Sequence, residues 1–176
     1  MPTLLKATAF AFLIVAASEV HAQWQLQSPI PTGRHLNSVY FLTPTHGFVV
    51  GTTRQLIETT NGGTTWITRM SDALGTDPFY RIYFSDTQHG YFTGNGSDSW
   101  RTTDGGATWS RMTTIAGGSW YHLDFITPIR GFVGGNGALS FTSDGGATWI
   151  SRSIYPNCPV MYGMDFRDEQ VGLAAG

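Results

Sequence analysis

One octet recurs almost unchanged along this chain, as Thr59–Trp66 (TTNGGTTW), Thr102–Trp109 (TTDGGATW) and Thr142–Trp149 (TSDGGATW). The closing tryptophans lie 43 and 40 residues apart. Upstream, Phe41, Phe84, Phe125 and Phe166 follow at intervals of 43, 41 and 41, and Gly47, Gly90, Gly131 and Gly172 keep the same beat. Trp24 precedes Trp66 by 42, so the register reaches back towards the N-terminus. A fixed period of this length means copies of one supersecondary unit, none of which can bury its apolar face alone.

Each unit reads as four short strands. In the first, SVYFL (Ser38–Leu42), GFVVGT (Gly47–Thr52), QLIETT (Gln55–Thr60) and TTWITR (Thr64–Arg69) are rich in β-branched and aromatic residues. Asn61-Gly62-Gly63 and its Asp-Gly counterparts are strong hairpin signals, because such turns require positive φ. Four strands per period of roughly 40–50 residues is the pattern of a propeller blade. The fold class is therefore all-β, a β-propeller of four-stranded antiparallel blades. The blades fall at about 37–70, 80–112 and 121–153, with a partial one at 161–176 and an outer strand near Trp24. That makes about three and a half blades of an incomplete ring. The N-terminal strand reads as the closing strand of a final blade, and the chain as a partial product of a longer protein. The alternative is two copies completing one ring, and open edges and bare blade faces favour self-association.

Composition agrees. Charged residues make up 12% of the chain, while 22 glycines and 14% aromatics suit short strands and tight turns. A net charge of −2 gives no electrostatic reason to expect nucleic acid as a partner. Lys6 followed by the apolar run Ala7–Ala17 and Val20-His21-Ala22 reads as a secretory leader over residues 1–22. The domain at 23–176 is then exported, periplasmic or extracellular, with no membrane span after leader removal; an 11-residue apolar run is too short to cross a bilayer. Cys158, the single cysteine, has no internal partner and reads as a small hydrophobe in a loop.

The octets resemble Asp boxes, the repeats found in sialidases, sortilin-type receptors and xyloglucan-degrading enzymes. The longer unit, Leu36-Asn37-Ser38-Val39-Tyr40-Phe41, then His46-Gly47-Phe48-Val49-Val50-Gly51, then the octet, resembles the repeat of the photosystem II stability/assembly factor family. That resemblance implies an assembly or binding scaffold without a cofactor or metal. It also implies that the boxes (Asn61, Gly63, Trp66; Asp104, Gly106, Trp109; Asp144, Gly146, Trp149) are structural and lie away from the functional face.

Binding is expected in the variable loops at the opposite end, on Arg34, His35, Arg54, Asp72, Asp77, Trp100, Trp120 and Tyr155, since arginine and aromatics are common anchors. The ligand class, protein or glycan, stays open. The competing reading is a carbohydrate-active fragment. Asp124 and Asp165, equivalent on successive inner strands, would serve as channel carboxylates, which glycosidic acid–base work needs about 5–10 Å apart. Phe79-Tyr80-Arg81-Ile82 is similar to the sialidase Arg motif but lacks its proline. His46 and His89 read as turn residues rather than metal ligands.

Overall fold

The computed structural model describes residues 31–72, 76–95, 98–112, 118–136, 138–152, 160–168 and 170–176. The leader, Trp24, Tyr155 and Cys158 lie outside these residues. Fourteen strands form, and no helix is long and apolar enough to cross a membrane among the described residues.

The first blade is β1 (Leu36–Phe41), β2 (Gly47–Gly51), β3 (Gln55–Thr59) and β4 (Ile67–Met70), paired antiparallel in chain order. The second repeats this with β5 (Phe79–Phe84), β6 (Gly90–Gly94), β7 (Trp100–Thr102) and β8 (Ser110–Arg111). The third does so with β9 (Trp120–Thr127), β10 (Arg130–Gly135), β11 (Leu139–Thr142) and β12 (Ile150–Arg152). A two-stranded sheet of β13 (Gly163–Phe166) and β14 (Gly172–Ala175) begins a fourth. First strands neighbour first strands: β1 contacts β5, β5 contacts β9, and β9 contacts β13. This is the radial stacking of a propeller, three blades and part of a fourth.

The glycine and phenylalanine beats share one cause. Phe41 pairs with Gly47, Phe84 with Gly90 and Phe166 with Gly172 across the first hairpin of their blades. A Cβ on Gly47, Gly90, Gly131 or Gly172 would stand only 2.4–2.7 Å from the ring carbons of Phe41, Phe84, Phe125 or Phe166. The ring lies flat over the glycine, so the position excludes a side chain.

The core lies between blades rather than within them. Phe48, Val50 and Leu56 of blade 1 pack on Phe79, Ile82, Phe84 and Phe92 of blade 2. Tyr91 and Met112 of blade 2 pack on Trp120, Leu123, Phe125, Val133 and Trp149 of blade 3. β2 and β6 are buried at every residue, each covered on both faces. Trp109 sits edge-on to Phe48 of the preceding blade at 6.0 Å and against Phe92 of its own at 4.8 Å. Fully burying such an indole removes roughly 150–250 Å² from water, at most about 4–6 kcal/mol of stabilisation.

The box explains where the fourth strands begin. Thr59, Thr102 and Thr142 each accept the amide of the box glycine four residues on, at 2.8–2.9 Å. Asn61, Asp104 and Asp144 accept the amides of Thr65, Thr108 and Thr148 at 2.9 Å. Those side chains hold the backbone up to the tryptophan, so ladder pairing starts only after it, at Ile67 rather than the expected Thr64. Likewise β1 opens at Leu36, two residues before the expected start, because Leu36 pairs with Gly51 across a bulge.

Candidate functional site

In these up-and-down blades the β2–β3, β4–β5 and β6–β7 loops share one end of the sheets, and the boxes lie at the other. At the loop end, between blades 1 and 2, a cleft of about 310 Å³ opens. Met70, Phe79 and Trp100 give it apolar walls, and Arg54, Arg69, Asp72, Asp98 and Arg111 supply charge.

Arg54 is placed there by an unusual turn. Thr53 and Arg54 both adopt left-handed backbone, with φ of 57° and 52°. This conformation is disfavoured for residues with a side chain and persists only where surroundings enforce it. Here the β4–β5 loop enforces it: the Arg54 amide donates to the Asp77 carbonyl at 3.0 Å, and the Asp72 amide to the Thr53 carbonyl at 3.3 Å. Arg34 adds bonds from its guanidinium to the Thr53 hydroxyl and to Ser71 Oγ at 3.3 Å.

The turn aims the Arg54 guanidinium at three carboxylates. Nη1 meets Asp72 and Nη2 meets Asp77, both at 3.4 Å, and Nη2 also pairs with Asp98 of blade 2. Asp98, 4% exposed, is shared on its other oxygen with Arg111, whose guanidinium lies 5.6 Å from the Trp100 ring centre. The pair Arg54–Asp98 therefore crosses the blade boundary, and a buried carboxylate between two guanidiniums tolerates the loss of neither. Arg69 is engaged by Glu58, 5% exposed, which also accepts from or pairs with His46 Nε2 at 2.7 Å. Arg34, Arg54, Arg69 and Arg111 balance Glu58, Asp72, Asp77 and Asp98 in and around the cleft.

Of the eight binding residues expected from the sequence, the structure brings Arg54, Asp72, Asp77 and Trp100 together, with Arg34 alongside. His35 is exposed nearby and engages Thr52 through its carbonyl at 2.9 Å. Trp120 is a correction: it is the first residue of β9 and 1% exposed, part of the core between blades 2 and 3. Its indole fills the apolar space beside Leu123 and Met112, so it is unavailable to a partner. Arg69, Asp98 and Arg111 were not expected. Arg69 and Arg111 sit on outermost strands, three and two residues after a box tryptophan, as Arg152 follows Trp149 by three; that recurrence is the signal that could have found them.

The channel-side residues are arranged differently. Tyr40 and Tyr83 donate to the carbonyls of Phe84 and Phe125 on the next blade, at 2.9 and 3.4 Å. Asp124 and Asp165, at the equivalent positions, have no proton to give when ionised and instead accept the amides of Phe125 and Phe166 at 2.8 and 2.9 Å. Burial, then the nearby Asp124 carboxylate, pushes the Tyr83 hydroxyl up. Burial, then Arg81, pushes His122 down. Arg81 Nε is buried without a hydrogen-bond partner. Among the described residues no cluster of three or more His, Cys, Asp or Glu is arranged to hold a metal.

Comparison with known proteins agrees with this architecture. No curated protein sequence matches the chain. A solved structure of YCF48 bound to D1 peptide is 28% identical, with a TM-score of 0.61, covering 69% of this chain and 40% of that one. YCF48 from Cyanidioschyzon merolae is 29% identical with a TM-score of 0.57, covering 70% and 38%. An ancestral GH74 enzyme, 17% identical with a TM-score of 0.62 over 74% of this chain and 20% of its own, shares the fold. The chain thus spans about two fifths of the YCF48 proteins it resembles. The family model described as photosynthesis system II assembly factor YCF48 matches residues 16–113, more than half of the sequence, and the chain belongs to that family.

Proposed function

We propose that this chain is an exported, non-enzymatic binding propeller that takes an extended protein segment in the cleft between its first two blades. The observation that carries the reading is Arg54. A left-handed turn and the buried Asp98 carboxylate hold its guanidinium at the cleft, while Asp72 and Asp77, both more than two-fifths exposed, contact it only at 3.4 Å. Such long, solvated pairs contribute little, so a peptide's acceptors compete with them at modest cost. Met70 and Trp100 offer the apolar contact that anchors a bound side chain. A similar propeller in the same family has been solved with a D1 peptide, which makes a peptide the first ligand to try. Export is supported by the leader-like pattern of Lys6, Ala7–Ala17 and Ala22.

The test is fluorescence anisotropy of a labelled D1 peptide titrated with the purified chain. Binding should weaken about tenfold or more in Trp100→Ala and in Arg54→Lys, which keeps a cation for buried Asp98 but loses the planar guanidinium. Asp124→Asn should leave it unchanged. Binding as tight as the parent chain's in both cleft variants would overturn the reading. So would hydrolysis of xyloglucan that Asp124→Asn abolishes.

A further inference from the structure

Each blade meets the next through one repeated contact. Phe48 on a second strand stacks on Phe84 of the following first strand at 5.3 Å, Tyr91 on Phe125 at 4.3 Å, and Phe132 on Phe166 at 4.6 Å. The ring planes are inclined by 23°, 18° and 28°, so all three boundaries share one geometry. At the first two, the following first strand is met by both the first and the second strand of the blade before it: β1 and β2 lie on β5, and β5 and β6 on β9. The inner part of the contact therefore needs two strands from the preceding blade and one from the next.

Each half of this contact also occurs once uncovered. Val39 pairs across its hairpin as Ile82, Leu123 and Met164 do in theirs. Those three are 7% exposed or less, whereas Val39 is 58% exposed, with exposed Phe41 two residues on and on the same side of β1. At the far end, Leu173 in β14 follows its hairpin glycine as Phe48 and Tyr91 follow theirs. Phe48 and Tyr91 are fully buried, and Leu173 is 81% exposed. A hollow of about 400 Å³ lies over its side of the sheet, lined by Asp165, Arg167, Val171 and Leu173.

We infer that a second copy of this chain docks here head to tail, Leu173 of each copy packing on Phe41 of the other. The boundaries inside the chain show what covers each face: β13 and β14 are the two strands the contact needs, and β1 is the one they meet. Both faces are exposed, so they do not cover one another within a single chain, and a second copy carries the missing half of each. A contact between unlike faces closes into a ring when its rotation allows. Three blades and part of a fourth, taken twice, fall within the roughly four to eight blades of closed propellers. Asp165 is no bar to the contact, because Asp124 stands at the equivalent place where blade 3 meets β13 and β14.

The test is sedimentation velocity of the purified chain over a dilution series. The mass should rise to twice the 19.2 kDa of one copy and stop there. Leu173→Asp and Val39→Lys, both at exposed positions, should each weaken pairing about tenfold or more. A mixture of the two variants should pair again, since each keeps the face the other has lost and the altered faces bring Asp against Lys. Leu173→Phe, which supplies the ring present at the other three boundaries, should tighten pairing about threefold. Circular dichroism checks that each variant is folded, and Leu173→Asp decides alone if Val39→Lys is not. A chain that stays single at every concentration, growth past two copies, or folded Leu173→Asp pairing as tightly as the parent overturns the inference. So does a mixture of folded variants that stays single.

Discussion

The hydroxyl of Tyr91 donates to the carbonyl of Gly145 at 2.8 Å, tying the second strand of blade 2 to the box turn of blade 3 across 54 residues of sequence. The ring stacks on Phe125 at 4.3 Å and is fully buried. Burial pushes its hydroxyl up to about 12. Because the folded state holds this proton more tightly than the unfolded chain, its stabilising effect is whole below pH ~10 and lost as pH rises towards 12. Tyr91→Phe should lower stability by about 1 kcal/mol and flatten the alkaline limb of the melting temperature between about pH 10 and 12, as followed by circular dichroism.

The box carboxylates behave in the opposite sense. Hydrogen bonds from the Thr108 side chain and amide hold Asp104 at about 2, and those from Thr148 do the same for Asp144. Folded values below the unfolded ones mean stability present above pH ~4 and lost as pH falls towards 2. Melting temperature should drop over that window in the parent chain. It should drop less in Asp104→Asn and Asp144→Asn, which keep an acceptor as Asn61 does but carry no proton to gain.

Gly106 carries two constraints and Gly62 one. Both have positive φ, 90° and 69°, but a Cβ on Gly106 would lie 2.3 Å from Phe48 Cζ of the preceding blade, whereas at Gly62 the nearest atom is 3.4 Å away. Gly62→Ala should cost about 1 kcal/mol, the backbone term alone. Gly106→Ala should cost about 3 kcal/mol, because overpacking adds to it. Chemical denaturation separates the two. Equal losses would mean that blade-to-blade packing does not run through the box glycine.

Much of this architecture was legible because its cause repeats. The glycine opposite each inner-strand phenylalanine, and the Thr–Asp–Gly–Trp box, appear several times at one spacing, so the pattern stands out from the background. Strand ends were less legible, since box side chains rather than propensity decide where pairing resumes. The cleft was half legible. Arg54 and Trp100 announce themselves as loop-end anchors, but Asp98 gains its role from Arg54, 44 residues earlier, and Arg111 from a ring it meets only after folding. Trp120 misleads for the complementary reason: an indole at the edge of a loop and one at the start of a strand differ by a single residue of register.

Asp98 binds the first two blades together as well as lining the cleft. Asp98→Asn leaves Arg54 and Arg111 without their buried counter-charge and should cost about 3 kcal/mol. Asp77→Asn, at an exposed pair 3.4 Å long, should cost less than about 1 kcal/mol. Urea unfolding of the two variants distinguishes a boundary-spanning latch from a solvated ion pair.

The most direct test of the cleft is read from the tryptophan indoles, of which the chain has six. In two-dimensional ¹H–¹⁵N spectra of the labelled protein, adding the D1 peptide should move the Trp100 indole signal while those of Trp109 and Trp149, wedged between blades beside the boxes, stay in place. A Trp100 signal unmoved at saturation, or shifts confined to the box tryptophans, would contradict the account.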